Sequence, residues 1–287
     1  MDVAVIGAGR VGTALAVRLR DAGHRIVALS GRGPTADRAA RYLPGVPIHA
    51  APVAARGAEV VVIGMPDDLI EQTASSLADE GALGEGQTVA HLSGATSLDA
   101  LSAARAAGAE VLSVHPLQTF PDVDAALARI PGSGIAVTAL TEAGFVLGER
   151  LVRDVGGRPF RLADEAKPLY HAAAVFASNY LVAITALADE LFRDTGLPEP
   201  ADLFLPLQRA TLDNVAAMGP AAALTGPAVR GDAGTVAANL ESLAKHAPGA
   251  VPAYVALADV ALELAHRSGR LSNEARAAVE EVLDSWR

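Results

Sequence analysis

The chain has 287 residues, of which 51% are hydrophobic and 4% aromatic, and its formal net charge is −10. This length suits two domains with aliphatic cores, and the acidic balance disfavours nucleic acid and anionic membranes as partners. The lack of cysteine excludes disulfides and thiolate chemistry, and no histidine spacing is typical of a metal site. The N-terminal residues lack the features of a signal peptide, so we expect a cytoplasmic protein without a metal ion.

The first part of the chain alternates short apolar runs with helical segments, whereas nearly everything after residue 162 has helical spacing. Such alternation is typical of parallel strands joined by right-handed crossovers. We therefore predict an α/β Rossmann domain over 1–162, doubly wound with a mostly parallel sheet, and an all-α domain over 163–287. The predicted strands are 2–6, 25–29, 59–63, 87–92, 109–114 and 133–138.

A glycine-rich turn follows the first predicted strand and opens a helix, which is the context that a GxGxxG pattern requires for dinucleotide binding. Its first glycine permits a tight turn, its second lets a pyrophosphate approach the backbone, and its third lets the helix pack on the strand. The free N–H groups of the helix start favour phosphate. The alternative is a glycine turn without a ligand. The residues assigned to this site are Gly7, Gly9, Arg10, Val11 and Gly12.

The end of the second predicted strand indicates which dinucleotide binds. NAD sites usually carry a carboxylate there, but this strand ends in Ser30 and is followed by Arg32. A serine hydroxyl and an arginine can both bind a 2′-phosphate, so we predict NADP(H) as the cofactor. The alternative is that Arg32 is a solvated surface residue.

A loop at the end of the third predicted strand lies at the edge where nucleotides bind. We expect Gly64, Met65 and Pro66 of this loop to line the nicotinamide ribose. We expect Asp67 or Asp68 to cap the helix that follows.

Two later strand ends carry polar residues in apolar surroundings. Ser93 follows the fourth predicted strand and His115 follows the fifth, so both are predicted at the edge that holds the glycine turn. Pro116 would end the strand and direct His115 into the crevice. The alternative for His115 is a buried structural histidine that is bound to the backbone.

The helical part opens with a second group of polar residues. Lys167 and His171 are four residues apart and share a helix face, Ser178 stays on that face, and Asn179 is turned about 80° away. We expect Tyr170–Ala188 to form a central buried helix rather than a membrane span. The alternative is that Lys167 caps the helix entrance while His171 bonds to the other domain.

A glycine-rich loop at 225–232 carries a single arginine. Arg230 could clamp a substrate carboxylate through two parallel hydrogen bonds. The alternative is a surface turn in which Arg230 pairs with Asp232.

These motifs resemble those of a group of Rossmann-like oxidoreductases with a helical C-terminal domain. The matching stretches are 7–12, 91–95, 113–120, 167–183 and 225–232. The group is allied to ketopantoate reductases, β-hydroxyacid dehydrogenases, pyrroline-carboxylate reductases and prephenate dehydrogenases, and its helical domain is similar to that of 6-phosphogluconate dehydrogenase. The resemblance implies that Lys167 is the catalytic lysine of the superfamily, although His171 stands where an asparagine is usual. His115-Pro116 is similar to the His-Pro of prephenate dehydrogenases, where the histidine contacts the substrate hydroxyl.

Together the residues predict hydride transfer between NADPH and a small carboxylate substrate, with a 2-keto acid such as ketopantoate as the leading candidate. Lys167 or His171 would donate the proton, and Arg230 would hold the carboxylate. The candidate catalytic residues are Lys167, His171 and His115, and the candidate substrate-binding residues are Ser93, Asn179 and Arg230.

Two other functions stay open at this point. One is an imine or pyrroline reductase, and the other is a non-catalytic sensor that binds NADP(H). The polar groups predicted from both domains favour an enzyme over the sensor. The apolar helical half predicts a homodimer.

Overall fold

The computed structural model describes residues 1–287, and seven of its strands form a single sheet. These strands are β1 (Asp2–Ile6), β2 (Arg25–Ser30), β3 (Val60–Ile63), β4 (Thr88–His91), β5 (Glu110–Pro116), β6 (Gly134–Ala139) and β7 (Arg158–Arg161). Their spatial order is β2-β1-β3-β4-β5-β6-β7. Strands β1 to β5 are parallel, whereas β6 runs antiparallel to β5 and parallel to β7. The prediction of a Rossmann-type, mostly parallel sheet is confirmed.

Two features of this sheet differ from the sequence prediction. β6 is antiparallel to β5, and the link between them contains only one seven-residue helix, α6 (Val123–Arg129). An antiparallel return does not need a long crossover helix, so the short link is compatible with it. β7 was not predicted, because its sequence Arg-Pro-Phe-Arg has no apolar run and its proline is tolerated only at a sheet edge.

Helices cover both faces of the sheet, so its central strands are buried on both sides. Val3 and Val5 of β1 pack in one apolar cluster, while Ala4 and Ile6 point to the other face and pack in a second. This alternation explains why the parallel strands read as continuous apolar runs. The helices that accompany the strands, besides α6, are α1 (Arg10–Asp21), α2 (Thr35–Tyr42), α3 (Ala51–Ala55), α4 (Asp67–Asp79), α5 (Ser102–Ala106) and α7 (Glu142–Asp154).

The chain divides into two compact units, Met1–Asn179 and Tyr180–Arg287. The last strand ends at Arg161, close to residue 162 where the sequence changes character. The first unit nevertheless continues through α8 (Lys167–Ala177), because the lysine that begins α8 is bound at the sheet edge.

The rest of the chain is helical, as predicted, and it has its own apolar core. That core includes Val236, Leu240, Leu262, Val279 and Leu283, all at 1% exposure or less. The helices after α8 are α9 (Asn179–Asp194), α10 (Pro200–Met218), α11 (Pro220–Ala223), α12 (Pro227–Arg230), α13 (Ala233–His246), α14 (Val251–Arg267) and α15 (Asn273–Asp284).

The prediction of one central buried helix over Tyr170–Ala188 is wrong for this single chain. The helical stretch is interrupted at Ser178, whose φ of −126° and ψ of −66° are not helical, so Ser178 does not share a continuous helix face with His171. Lys167 is the one buried residue of α8, and α9 has none. Apolar composition predicted burial, but it does not reveal whether the covering surface belongs to the same chain.

By length and composition alone, two helical stretches could cross a membrane, Asp164–Asp194 and Pro248–Arg267. The first includes α8 and α9, and it contains Lys167, whose ammonium is bound at the sheet edge. The second contains α14, which contributes Leu262 and other buried residues to the core of the second unit.

Candidate functional site

The glycine turn between β1 and α1 is held close to the loop that follows β3. Gly7 has a φ of +86°, and an added Cβ would lie 2.6 Å from Met65 Sδ and 2.8 Å from the Gly64 carbonyl oxygen. A Cβ on Gly12 would lie 2.8 Å from the Gly7 carbonyl oxygen. The N–H of Gly7 donates to the Ser30 carbonyl at 2.8 Å. Three loops at the sheet edge therefore meet with no room for side chains.

A cavity of about 710 Å³ opens above this turn, at the carboxyl ends of the parallel strands. Arg10 begins α1 with an exposed side chain, and Val11 is half-buried against the core. The cavity thus combines a helix start with bare backbone, which suits a dinucleotide. The predicted cofactor residues that line it are Gly7, Gly9, Ser30, Arg32, Gly64, Met65 and Pro66.

One end of the cavity offers two arginines rather than the one predicted. Arg32 is exposed and forms no ion pair. Arg38, which the sequence analysis missed, lies on α2 and also lines the cavity. Its Nε donates to the Ala8 carbonyl at 3.0 Å and its Nη2 to Thr35 Oγ1 at 3.2 Å, so its charge is fixed beside the glycine turn. The sequence signal that could have identified Arg38 is its position on the helix that follows β2.

A second polar cluster surrounds the lysine that opens α8. Lys167 is 1% exposed, and its Nζ donates to Ser113 Oγ at 2.6 Å and to the Ser93 carbonyl at 3.1 Å. Burial lowers the pKa of Lys167 to about 8, against a weaker opposing effect of nearby carboxylates. Near neutral pH the site therefore holds a buried ammonium bound by two neutral oxygens.

His115 lies beside this ammonium and is held by a residue that the sequence analysis did not select. The hydroxyl of Tyr170 is 2.9 Å from His115 Nδ1, and the two rings meet edge-on with centroids 5.5 Å apart. Burial, followed by the charge of Lys167, lowers the pKa of His115 to about 4, so the imidazole is neutral. Burial raises the pKa of Tyr170 to about 12. The partner of His115 is thus a side chain rather than the backbone.

Two further histidines belong to this cluster. His91 is fully buried at the end of β4, where its Nδ1 accepts from the Ser93 N–H at 3.2 Å and its Nε2 has no partner. Burial, then Lys167, lowers the pKa of His91 to about 3. His171 is near enough to His115 to lower the pKa of that histidine, and its own Nδ1 is buried without a partner. The sequence analysis missed His91, although it stands two residues before Ser93.

Ser93 organises the turn that follows β4. Its carbonyl accepts from Lys167, and its Oγ accepts from the N–H groups of Ala95 and Thr96 at 3.1 and 3.0 Å. The hydroxyl oxygen therefore stabilises the turn after β4. Its hydrogen remains free to donate.

The other two predicted substrate-binding residues have exposed side chains. Asn179 is exposed and makes no hydrogen bond with the cluster around Lys167. Arg230 is exposed at the end of α12, in the second unit, and Asp232 accepts from the Thr235 N–H as the cap of α13.

The prediction that an aspartate caps α4 is wrong. Pro66 occupies the N-cap position, and neither Asp67 nor Asp68 makes a capping hydrogen bond. Both carboxylates instead lie in the first turn, where they interact favourably with the helix dipole.

Comparison with known families finds two matches along the chain, and the second begins within the sheet, one residue before β6. Residues 1–116 match the Rossmann-like domain, and residues 133–261 match a domain of unknown function (DUF2520). The first part of the chain is thus similar to Rossmann-like domains and a later part to DUF2520 domains. No curated protein is significantly similar to it in sequence.

Solved structures share this fold over nearly their whole length. A proposed NADP oxidoreductase from Bacteroides fragilis is 23% identical with a TM-score of 0.74, covering 91% of this chain and 98% of that one. A protein from Thermotoga maritima is 24% identical with a TM-score of 0.73, covering 93% and 99%. Pyrroline carboxylate reductase from Plasmodium falciparum, with NADP bound, is 12% identical with a TM-score of 0.58, covering 97% and 98%. The chain therefore shares its overall fold with these three proteins.

The buried histidine of β4 predicts a loss of stability in acid. The pKa of His91 is about 3 in the folded protein and 6.5 as a reference. Between these values the unfolded state binds a proton that the folded state excludes, so stability is full above pH 6.5 and falls as the pH decreases. We expect His91→Asn, whose amide oxygen can still accept from Ser93, to reduce this loss by up to about 1.4 kcal/mol per pH unit.

Urea unfolding of both proteins across the interval from pH 6.5 to about 4 measures this difference. The exposed His49 provides a matched control, and His49→Asn should retain the full acid dependence of the parent. An unchanged acid dependence in His91→Asn would contradict the assignment of a neutral buried imidazole.

Proposed function

We propose that this chain is an NADP(H)-dependent oxidoreductase that acts on the carbonyl group of a small carboxylate, a 2-keto acid such as ketopantoate. One observation carries the proposal. The dinucleotide-sized cavity and the cluster of Lys167, His115 and Tyr170 form at the same edge of the sheet, where β1 and β3 to β5 end. A non-catalytic sensor would need the cavity but not the cluster.

The choice of NADP(H) over NAD(H) depends on charge at the end of β2. Ser30, Arg32 and Arg38 line that part of the cavity, and no carboxylate stands at the strand end to repel a 2′-phosphate. Arg38 is already oriented by its bonds to Ala8 and Thr35, so it would lose little conformational freedom on binding phosphate.

The bound nicotinamide supplies the hydride chemistry, and the protein supplies charge, orientation and a proton. An ammonium has three N–H bonds, and Lys167 uses two of them on Ser113 and Ser93. We assign its third to the substrate oxygen, where the charge favours the developing oxyanion and a pKa of about 8 suits proton transfer. His171 is the alternative proton donor, and Arg230 remains the proposed partner of the substrate carboxylate.

An imine or pyrroline reductase is the second candidate, and the structural likeness to pyrroline carboxylate reductase favours it. A protonated imine is a cation, however, and it would meet the buried ammonium of Lys167. No carboxylate forms a hydrogen bond with Lys167, His115 or Tyr170. The electrostatics of the cluster therefore favour a carbonyl group.

We also propose that the chain is a cytoplasmic homodimer whose second copy covers α9 and α10. Val182 of α9 and Leu203 and Leu207 of α10 are 63–68% exposed in the single chain. Three large apolar side chains exposed on consecutive helices form an apolar patch, and such patches mark interaction sites. A membrane is the other apolar cover, but α9 also carries an Arg193–Asp189 ion pair and a Thr185–Gln208 hydrogen bond to α10. Such mixed surfaces are typical of protein interfaces.

The first test of the function is a substrate screen. We expect NADPH absorbance to fall when the protein meets members of a series of 2-keto acids, and to fall more slowly with cyclic imines. Lys167→Met should then reduce turnover by roughly 10²–10⁴-fold because it removes the charge and the proton, while NADPH affinity changes little.

The other lysine of the chain gives a matched control for this variant. Lys245 is exposed in the second unit, and Lys245→Met should turn over at the parental rate. Full activity of Lys167→Met on every accepted substrate would contradict the role of the buried ammonium.

The cofactor preference predicts a selective loss of NADPH binding. Arg32→Ala and Arg38→Ala should each weaken NADPH by about 1.5–3 kcal/mol, the range for a hydrogen bond to a charged group, and leave NADH nearly unchanged. Fluorescence titration of both cofactors measures the difference. Arg105 is exposed on α5 outside the cavity, so Arg105→Ala is the control. Equal NADH and NADPH affinities in the parent protein would overturn the assignment.

The proposed dimer predicts a change in mass after one substitution. Val182→Lys places a charge on an exposed apolar face of α9, and we expect it to convert a dimer into a monomer in light scattering. Val146 on α7 is 56% exposed, and Val146→Lys should leave the dimer intact. A parent protein that is monomeric at all concentrations, or that sediments with membranes, would contradict the proposal.

A further inference from the structure

The contact between His115 and Tyr170 leaves one ring nitrogen of the histidine available. Nδ1 of His115 is engaged by the Tyr170 hydroxyl at 2.9 Å. Nε2 has no protein partner, yet it is not among the buried polar atoms that lack one. The ring is half-exposed, so Nε2 faces accessible space at the sheet edge. What this nitrogen can do depends on whether it carries the hydrogen.

The direction of the tyrosine hydrogen bond decides that question. Both groups are neutral near pH 7, because the pKa of Tyr170 is about 12 and that of His115 about 4. A neutral imidazole has one N–H and one acceptor nitrogen, whereas a phenol hydroxyl can donate or accept. A phenol O–H is a stronger donor than a neutral imidazole N–H, and an imidazole nitrogen is a stronger acceptor than a phenol oxygen, so the 2.9 Å contact runs from Tyr170 to Nδ1. Donation by Tyr170 to Nδ1 satisfies both residues and puts the hydrogen on Nε2.

The turn after β4 holds the ring in this orientation. A Cβ on Gly94 would lie 2.6 Å from His115 Cε1 and 2.7 Å from Nδ1, so the ring rests directly against the glycine. That turn is itself fixed, because the carbonyl of Ser93 accepts from Lys167 and its Oγ accepts from two N–H groups. A rotation that exchanged the two ring nitrogens would have to break the bond to Tyr170. The imidazole therefore has one preferred tautomer and one preferred direction.

We infer that Tyr170 is a positioning residue that holds His115 as the Nε2–H tautomer, and that this N–H binds the reacting oxygen of a carbonyl substrate. The identity of the substrate rests on the proposed function, whereas the tautomer does not. When hydride adds to the carbonyl carbon, the electron pair of the C=O bond moves to oxygen. The His115 N–H then stabilises the oxyanion while the Lys167 ammonium gives it a proton, which completes an alcohol.

This arrangement also distinguishes two classes of substrate. A carbonyl oxygen accepts hydrogen bonds, so it complements both the imidazole N–H and the lysine ammonium. The nitrogen of a protonated imine is a donor, and it would meet a second donor at His115. The same two residues therefore select a ketone or aldehyde against an iminium ion of similar shape.

The test combines a spectroscopic readout with kinetics. In protein labelled with ¹⁵N-histidine, we expect the His115 signals of the parent near neutral pH to show hydrogen on Nε2 and none on Nδ1, with His115→Gln identifying those signals. Tyr170→Phe keeps the aromatic ring and removes the hydroxyl, so both tautomers should become populated. It should lower kcat about 10-fold or more, while KM and NADPH affinity stay within about two-fold.

Two further variants separate this role from a structural one. Gly94→Ala keeps the tyrosine hydroxyl but displaces the imidazole, so it should lower kcat in the same way and shift the same NMR signals. The hydroxyl of Tyr42 donates a hydrogen bond to Asp124, and neither residue contacts His115. We therefore expect Tyr42→Phe to change neither kcat nor the NMR signals of His115.

The outcomes are distinct. A parent protein with hydrogen on Nδ1 of His115 overturns the inference, whatever its activity. An unchanged tautomer and unchanged kcat in Tyr170→Phe overturn it as well, and faster reduction of cyclic imines than of ketones overturns the substrate assignment. If the tautomer responds as expected but no carbonyl compound is reduced, the role of Tyr170 stands and the proposed function fails.

Discussion

The buried ammonium of Lys167 is the interaction on which the rest of the candidate site depends. It enters the sheet edge from the first residue of α8, and it is bound by Ser113 Oγ and the Ser93 carbonyl without a carboxylate. The Ser93 bond orients the turn that contains Gly94, and Gly94 in turn fixes the ring of His115. The same charge helps to keep the neighbouring imidazole neutral. One side chain thus determines both the geometry and the electrostatics of the cluster.

Holding that charge in a buried position has an energetic consequence for folding. A pKa lowered from 10.5 to about 8 corresponds to roughly 3 kcal/mol against the charged folded state. Between these two pH values the unfolded chain keeps a proton that the folded chain has lost, so stability rises with pH across that interval. A purely structural residue at this position would be more stable as an apolar side chain. Such a cost is typical of residues retained for function.

The sequence predicted what depends on local pattern and missed what depends on distant contacts. The apolar runs and the glycine turn carry their own signals, so six strands and the general fold were recognisable. Tyr170 meets His115 across 55 positions of chain, and β7 is defined by pairing rather than by composition. The exposure of α9 in the single chain could not be predicted either. An apolar sequence indicates that a helix face is buried, but it does not indicate whether the same chain or another molecule buries it.

Both borders of the sheet carry features that hinder pairing with a further strand. On the β7 side, Pro159 removes one of the outward N–H donors, and Arg158 and Arg161 add charge. On the β2 side, Leu29 already exchanges hydrogen bonds with the segment at Pro47–His49. An edge of either kind is a poor template for intermolecular strand pairing. The edges of the sheet therefore disfavour growth into β-aggregates by addition of strands.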